Sequence, residues 1–147
     1  MRNETLKAKK ILEKGGHSCV FVSENETFVS DKRGIKPLLD LLSDKKDMSE
    51  FCAADRIVGR AAAFLYVLLG IKEVYAEVLS KKALPVFEKY GISVFAGTET
   101  EEIINRGKTG ICPMEKAVSC AGSPDEALEC ISAKIAQMNS NESKPKE

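Results

Sequence analysis

Three residues that could do chemistry fall close together in the stretch CAADRIVGRAAAFLYVLLG: Asp55, Gly59 and Arg60. Apolar residues follow them on every side of a helical wheel, which predicts a buried helix over 54–69. Its first turn would offer free N–H groups, the positive end of the helix dipole and open space at the glycine, a setting that suits an anion or a working carboxylate. The alternative is structural: Asp55 caps the helix, Gly59 permits close packing, and Arg60 faces water or another subunit.

A second candidate is the segment TGICPMEKAV, which has Pro113 at a predicted N1 position. This spacing makes Cys112 the N-cap and Glu115 the N3 residue of a helix. A thiol at a helix N-terminus has its thiolate favoured by the dipole, so Cys112 could be a nucleophile, with Asp55 or Glu115 as proton carrier. The alternative is that Cys112 is a small buried residue and Glu115 completes the cap.

Cations at the start of a third predicted helix are the remaining candidates. Lys81 and its neighbour Lys82 open a helix over 81–90, where positive charge is unfavourable unless an anion lies nearby. Ser80 and Lys81 are therefore possible ligand-binding residues, and a solvated lysine pair is the alternative. His17 follows two glycines and is expected at the surface, so no histidine-based triad is predicted around the cysteine.

The elements that must position these residues alternate along the chain. The pattern predicts, in order, a helix over 4–14, a hairpin around 24–26, a helix with Pro37 in its first turn, the 54–69 helix, a strand over 71–80, the 81–90 helix and a strand over 92–97. A capping box at Thr98 and Glu101 predicts a helix to about 107, and Ser123-Pro124 begins another that runs to 138.

This order predicts an α/β fold, a three-layer α/β/α sandwich with a mixed sheet of about five strands and the 54–69 helix packed centrally. Residues 1–138 would form one domain, and the polar stretch 139–147 a disordered tail.

The composition of the chain excludes some classes of binding partner. The 147 residues carry 22 Lys and Arg against 22 Asp and Glu, so no bulk charge favours nucleic acid or an anionic membrane. The five cysteines form no C-x-x-C pair, and no apolar run is long enough for a membrane span. We therefore expect a cytoplasmic protein that binds neither nucleic acid nor membrane. Cys19, Cys120 and Cys130 are expected to pack in the core.

The chain resembles the cytidine-deaminase fold. In those enzymes an acid and a zinc ligand open one helix, and Pro-Cys-x-x-Cys opens the next. Residues 52–55, CAAD, resemble the first motif, but the second position reads VLSKKALPVF and supplies no thiolate, so zinc hydrolysis is not expected. Over about residues 3–138 the chain is more similar to domain of unknown function 1893, most clearly in ADRIVGRAAAFLYVLLGIKEVYAEVLS and NRGKTGICPMEKAV. That resemblance implies a deaminase-like fold without the zinc signature and names no reaction.

Three hypotheses for function remain open. In the first, a zinc-free deaminase-like domain without cofactor binds a small anionic or nucleotide-like molecule where Asp55, Gly59, Arg60 and Cys112 converge. In the second, the domain is an enzyme that uses Cys112 as nucleophile and Arg60 to hold an anion. In the third, it is an inactive scaffold that forms a homodimer.

Overall fold

Five strands form one mixed sheet in the order β2-β1-β3-β4-β5. The structure is a computed structural model that describes residues 1–103 and 112–143, with side chains to Asn139. The strands are β1 (Cys19–Val22), β2 (Thr27–Ser30), β3 (Cys52–Val58), β4 (Glu73–Ser80) and β5 (Ser93–Thr100). β1 pairs antiparallel with β2 and β3, whereas β3, β4 and β5 run parallel. The predicted hairpin and mixed sheet are therefore present.

Helices cover both faces of this sheet. They are α1 (Asn3–Lys14), α2 (Lys36–Ser43), α3 (Arg60–Leu69), α4 (Leu84–Lys89), α5 (Pro113–Ala117) and α6 (Pro124–Ser143), and a 3₁₀ turn (Lys81–Ala83) leads into α4. On one face, Ala8 and Leu12 of α1 pack with Val20 and Ala54 of the sheet. The main core lies on the other face, around α3. In the part of the chain that the structure describes, no helix is long and apolar enough to cross a bilayer.

The predicted 54–69 helix is wrong in its first part. Residues Cys52–Val58 form β3, and the helix begins only at Arg60. β3 lies between β1 and β4, where Ala53 and Ala54 are fully buried on opposite faces. Their small side chains let helices approach the sheet from both sides. Pairing of β3 with strands on both of its sides thus outweighs the helix propensity of alanine. Alanine ranks highest among helix formers, but this intrinsic preference is small and tertiary contacts override it.

The helix predicted from the capping box at Thr98 is also wrong where the structure describes it. β5 continues to Thr100, which pairs in parallel register with Ser80 at the end of β4. Thr98, the predicted cap, instead lies within this edge strand of the sheet, and Glu101 follows the strand. The rest of that predicted helix, over 104–107, lies outside the described residues.

Helix α6 begins where the sequence predicts. The Ser123 hydroxyl accepts a hydrogen bond from the Glu126 N–H, and the Glu126 carboxylate accepts one from the Gly122 N–H. The helix continues past Met138 to Ser143, so the predicted tail 139–147 starts inside it. Residues 144–147 lie outside the described residues, and their predicted disorder stays a prediction.

The Arg56 side chain joins α1 to the sheet. Its guanidinium donates to the Leu12 carbonyl at 2.6 Å, the Gly15 carbonyl at 2.9 Å and the His17 carbonyl at 2.9 Å, and it pairs with Glu77 at 2.6 Å. The last carbonyls of a helix have no partner within the helix, so this arginine supplies what the C-terminus of α1 lacks. A single planar cation thereby satisfies four oxygens.

We expect Arg56→Lys to lower the free energy of unfolding by about 1–3 kcal/mol, because an ammonium group keeps the charge but cannot reach all four oxygens. Chemical denaturation measures the effect. Arg33→Lys is the control, since Arg33 is exposed and its side chain makes no hydrogen bond among the described residues. Equal stability of the two variants would contradict this role for Arg56.

Candidate functional site

Asp55 lies inside the protein rather than at a helix start. It is 6% exposed on β3, and its Oδ2 accepts a hydrogen bond from the Tyr66 hydroxyl of α3 at 2.7 Å. The Cys19 thiol of β1 lies 3.4 Å from the same hydroxyl. Burial raises the pKa of Asp55 to about 7, and the bond from Tyr66 only partly offsets it. Burial also raises the pKa of Cys19 and of Tyr66. Asp55 is therefore part of a buried polar network.

The space beside Gly59 is filled by a carboxylate of the protein itself. Glu115 of α5 accepts hydrogen bonds from the Arg60 N–H at 2.7 Å and the Ala61 N–H at 2.8 Å. A Cβ placed on Gly59 would lie 2.2 Å from the Glu115 Oε1. Gly59 has an extended backbone that any residue could adopt, so the glycine is required for space rather than for conformation.

The role predicted for Glu115 changes accordingly. The sequence predicts that Glu115 completes the cap of its own helix or carries protons. In the structure it caps α3 instead, the helix whose N-terminus is predicted to bind a ligand. The helix dipole favours an anion at that N-terminus, and the Glu115 carboxylate of the chain itself takes this place.

The Arg60 side chain makes a contact in the opposite direction, from α3 to the end of α5. Its guanidinium donates to the carbonyls of Val118 at 3.0 Å and Ala121 at 2.6 Å, just beyond the end of α5, and its charge lies 4.9 Å from the centre of the Phe64 ring. Glu115 of α5 thus caps α3, while Arg60 of α3 binds the carbonyls that follow α5. We call this pair of contacts the reciprocal clamp. The contact of Arg60 with these carbonyls accounts for the arginine at this position without a bound ligand.

Cys112 is the N-cap of α5, as predicted, with Pro113 at the first helical position. Its N–H donates to the Ile103 carbonyl at 2.9 Å, whereas its side chain makes no capping hydrogen bond. The residue is partly exposed, and α5 is only five residues long. The position of Cys112 at the start of α5 thus matches the prediction.

Ser80 and Lys81 find their partners within the chain. The buried Ser80 hydroxyl accepts from the Lys82 N–H and donates to the Glu101 carbonyl at 3.2 Å. Lys81 pairs with the Glu101 carboxylate at 2.8 Å, and Lys82 pairs with Glu102. Acids that follow β5 therefore compensate the cations that open the 3₁₀ turn. The two lysines therefore pair with carboxylates of the chain itself, and their charge requires no bound anion.

A cleft of about 600 Å³ lies between α3, α4 and α5. Its charged lining consists of Arg60, Lys82, Lys89, Lys116, Glu102 and Glu115, and its other lining residues include Phe64, Pro85, Val86, Tyr90 and Ile103. Of the seven residues singled out from the sequence for the site, Arg60 and Glu115 line it. Asp55, Gly59, Ser80, Lys81 and Cys112 are not among its described lining residues.

Sequence reasoning missed Lys89, Tyr90 and Lys116. Lys89 and Tyr90 end α4 and Lys116 lies on α5, and nothing in their local pattern marks them. They meet only because the reciprocal clamp places α5 beside α3. Over residues 1–103 and 112–143, no group of three His, Cys, Asp or Glu side chains is placed to hold a metal ion.

Gly59→Ala tests the tight contact beside α3. We expect a loss of about 1–3 kcal/mol in the free energy of unfolding, because the new methyl group must push the Glu115 carboxylate off two backbone N–H groups. Gly16→Ala is the matched control, since a Cβ there meets nothing within 4 Å. Thermal or chemical denaturation gives both values. Two equally mild variants would show that Glu115 does not occupy this space.

The model of a family described as TM1506, domain of unknown function (DUF1893), matches residues 7–135. A crystal structure of a DUF1893 family protein (TM1506) from Thermotoga maritima superposes with a TM-score of 0.83 at 27% identity, covering 91% of this chain and 92% of that one. The comparison with curated proteins returns no match. Since the family model spans most of the chain, the chain belongs to the DUF1893 family, whose function is unknown.

Proposed function

We propose that the cleft between α3, α4 and α5 binds a small anionic molecule that also has an apolar or planar part. The observation that carries this proposal is the makeup of the lining. Four cations face two carboxylates there, and both carboxylates are already engaged, Glu102 by Lys82 and Glu115 by backbone N–H groups. The cleft therefore has an excess of positive charge.

Lys89 and Lys116 are the groups that would bind the anion. Arg60 is held by carbonyl oxygens and Lys82 by Glu102, so both are already engaged. Lys89 and Lys116 are exposed, and no carboxylate of the described residues pairs with either. An ammonium group that keeps its water on one side can bind a phosphate or carboxylate at a modest desolvation cost.

The apolar lining supports the second part of the ligand. Phe64 and Val86 are buried, while Tyr90 remains 36% exposed at the cleft. Small-molecule sites are typically concave and mostly apolar with a few charged groups, and a volume of about 600 Å³ is of the usual size. A nucleotide-like molecule, with a planar base and a phosphate, has the matching chemistry.

Three other features remain proposals. The element order, with the hairpin followed by α2, β3, α3, β4 and α4, supports a zinc-free form of the cytidine-deaminase-like fold. A homodimer and a cytoplasmic location also stay predictions. The enzyme hypothesis gains no support from the cleft, because Cys112 is not among its described lining residues.

Thermal shift and calorimetric titration with adenosine monophosphate, ribose 5-phosphate and adenosine test the proposal. We expect the two phosphates to raise Tm and the uncharged nucleoside to do so less. The double variant Lys89→Glu, Lys116→Glu should weaken phosphate binding by about tenfold or more, since two attractive charges become repulsive. Lys10→Glu, on α1 across the sheet, is the control and should bind normally.

Two outcomes would contradict the proposal. Either none of the three compounds shifts Tm, or a phosphate binds equally well to the Lys89 and Lys116 variant. The second result would place binding elsewhere on the molecule.

A further inference from the structure

We propose that Asp55, Tyr66 and Cys19 form a buried proton-binding site that controls how firmly helix α3 is held on the sheet near neutral pH. The three side chains come from β3, α3 and β1, and each is at most 6% exposed. A hydrogen bond of 2.7 Å joins Tyr66 to Asp55, and a contact of 3.4 Å joins Tyr66 to Cys19. The cluster is independent of whether the cleft binds a ligand.

The surroundings of Asp55 offer no positive charge among the described residues. β1 contributes the Cys19 thiol, α3 contributes the Tyr66 hydroxyl, and β4 places Ala76 opposite in the register. The next residue, Arg56, points its guanidinium to α1 and Glu77 on the other face of the sheet.

Two further cations near this region are also committed elsewhere. Arg60 binds carbonyls beyond α5, and Lys9 of α1 lies over the Tyr75 ring on the α1 face. Besides the Tyr66 bond, the Asp55 carboxylate accepts a hydrogen bond from the Ile57 N–H at a long 3.4 Å. The backbone N–H groups of Ile57 and Arg56 lower the pKa of Asp55 by less than burial raises it. An ionised Asp55 is therefore a buried charge without a counterion, which is costly.

The direction of the pH effect follows from this environment. Burial raises the pKa of Asp55 from 3.8 to about 7. The folded protein thus holds a proton that the unfolded chain releases at lower pH, so stability is fully present below pH 4 and falls as the pH rises toward 7. Above that point both states are ionised and this contribution no longer changes. Because Tyr66 is the α3 partner of the carboxylate, the loss should appear first as easier opening of α3.

Hydrogen exchange and carboxyl NMR test this inference directly. We expect the ¹³C signal of the Asp55 carboxyl to titrate with a midpoint near 7. Protection factors of α3 amides should fall by roughly 50-fold between pH 5 and pH 7 relative to Asp55→Asn, since each pH unit in this window is worth up to tenfold. Asp44→Asn, an exposed carboxylate at the end of α2, is the control and should behave as the unmodified protein.

Tyr66→Phe gives a second readout that does not depend on how stable the asparagine variant is. Losing a donor to the ionised carboxylate should move the Asp55 midpoint upward, because that bond favours the charged form. A midpoint below 5 in the unmodified protein would overturn the inference. So would a midpoint that Tyr66→Phe leaves unchanged, or α3 protection that follows Asp55→Asn at every pH.

Discussion

A helix that begins directly after a buried strand must find partners for its first N–H groups, and α3 has no capping side chain of its own. Gly59 separates β3 from α3 and offers none. Glu115, 55 residues further along the chain from Arg60, supplies the missing oxygens. Because a buried N–H without an acceptor is costly, this contact fixes where α5 lies. Arg60 then fixes the other end of α5, and the position of the cleft follows from both.

The reciprocal clamp also determines the charge of the cleft. Glu115 lines it, yet its carboxylate is directed at the N-terminus of α3, and Glu102 is paired with Lys82. The remaining cations on α4 and α5 therefore face the cleft with little opposition. A structural demand in the core, the capping of α3, thus produces a surface suited to an anion. The function that we propose depends on this positive charge, and not on Cys112 or Asp55, the most reactive candidates in the sequence.

Much of the fold could be predicted from local pattern. The first helix, the hairpin, β4 and the start of α6 are found where periodicity and caps place them, and Cys112 is an N-cap. The errors are instructive. Ala53 and Ala54 favour a helix locally but lie in a central strand, where they are fully buried on opposite faces of the sheet. Local pattern could not reveal that Gly59 and Glu115 are partners, since a contact over such a separation exists only in the folded chain.

The placement of α5, and with it the cleft, depends on the Glu115 carboxylate occupying the space beside Gly59. A double-mutant cycle of Gly59→Ala and Glu115→Ala, followed by chemical denaturation, measures it directly. If the claim holds, the alanine at 59 costs about 1–3 kcal/mol in the unmodified protein and close to nothing once Glu115 is removed. Additive costs, with the alanine equally damaging in both backgrounds, would contradict it.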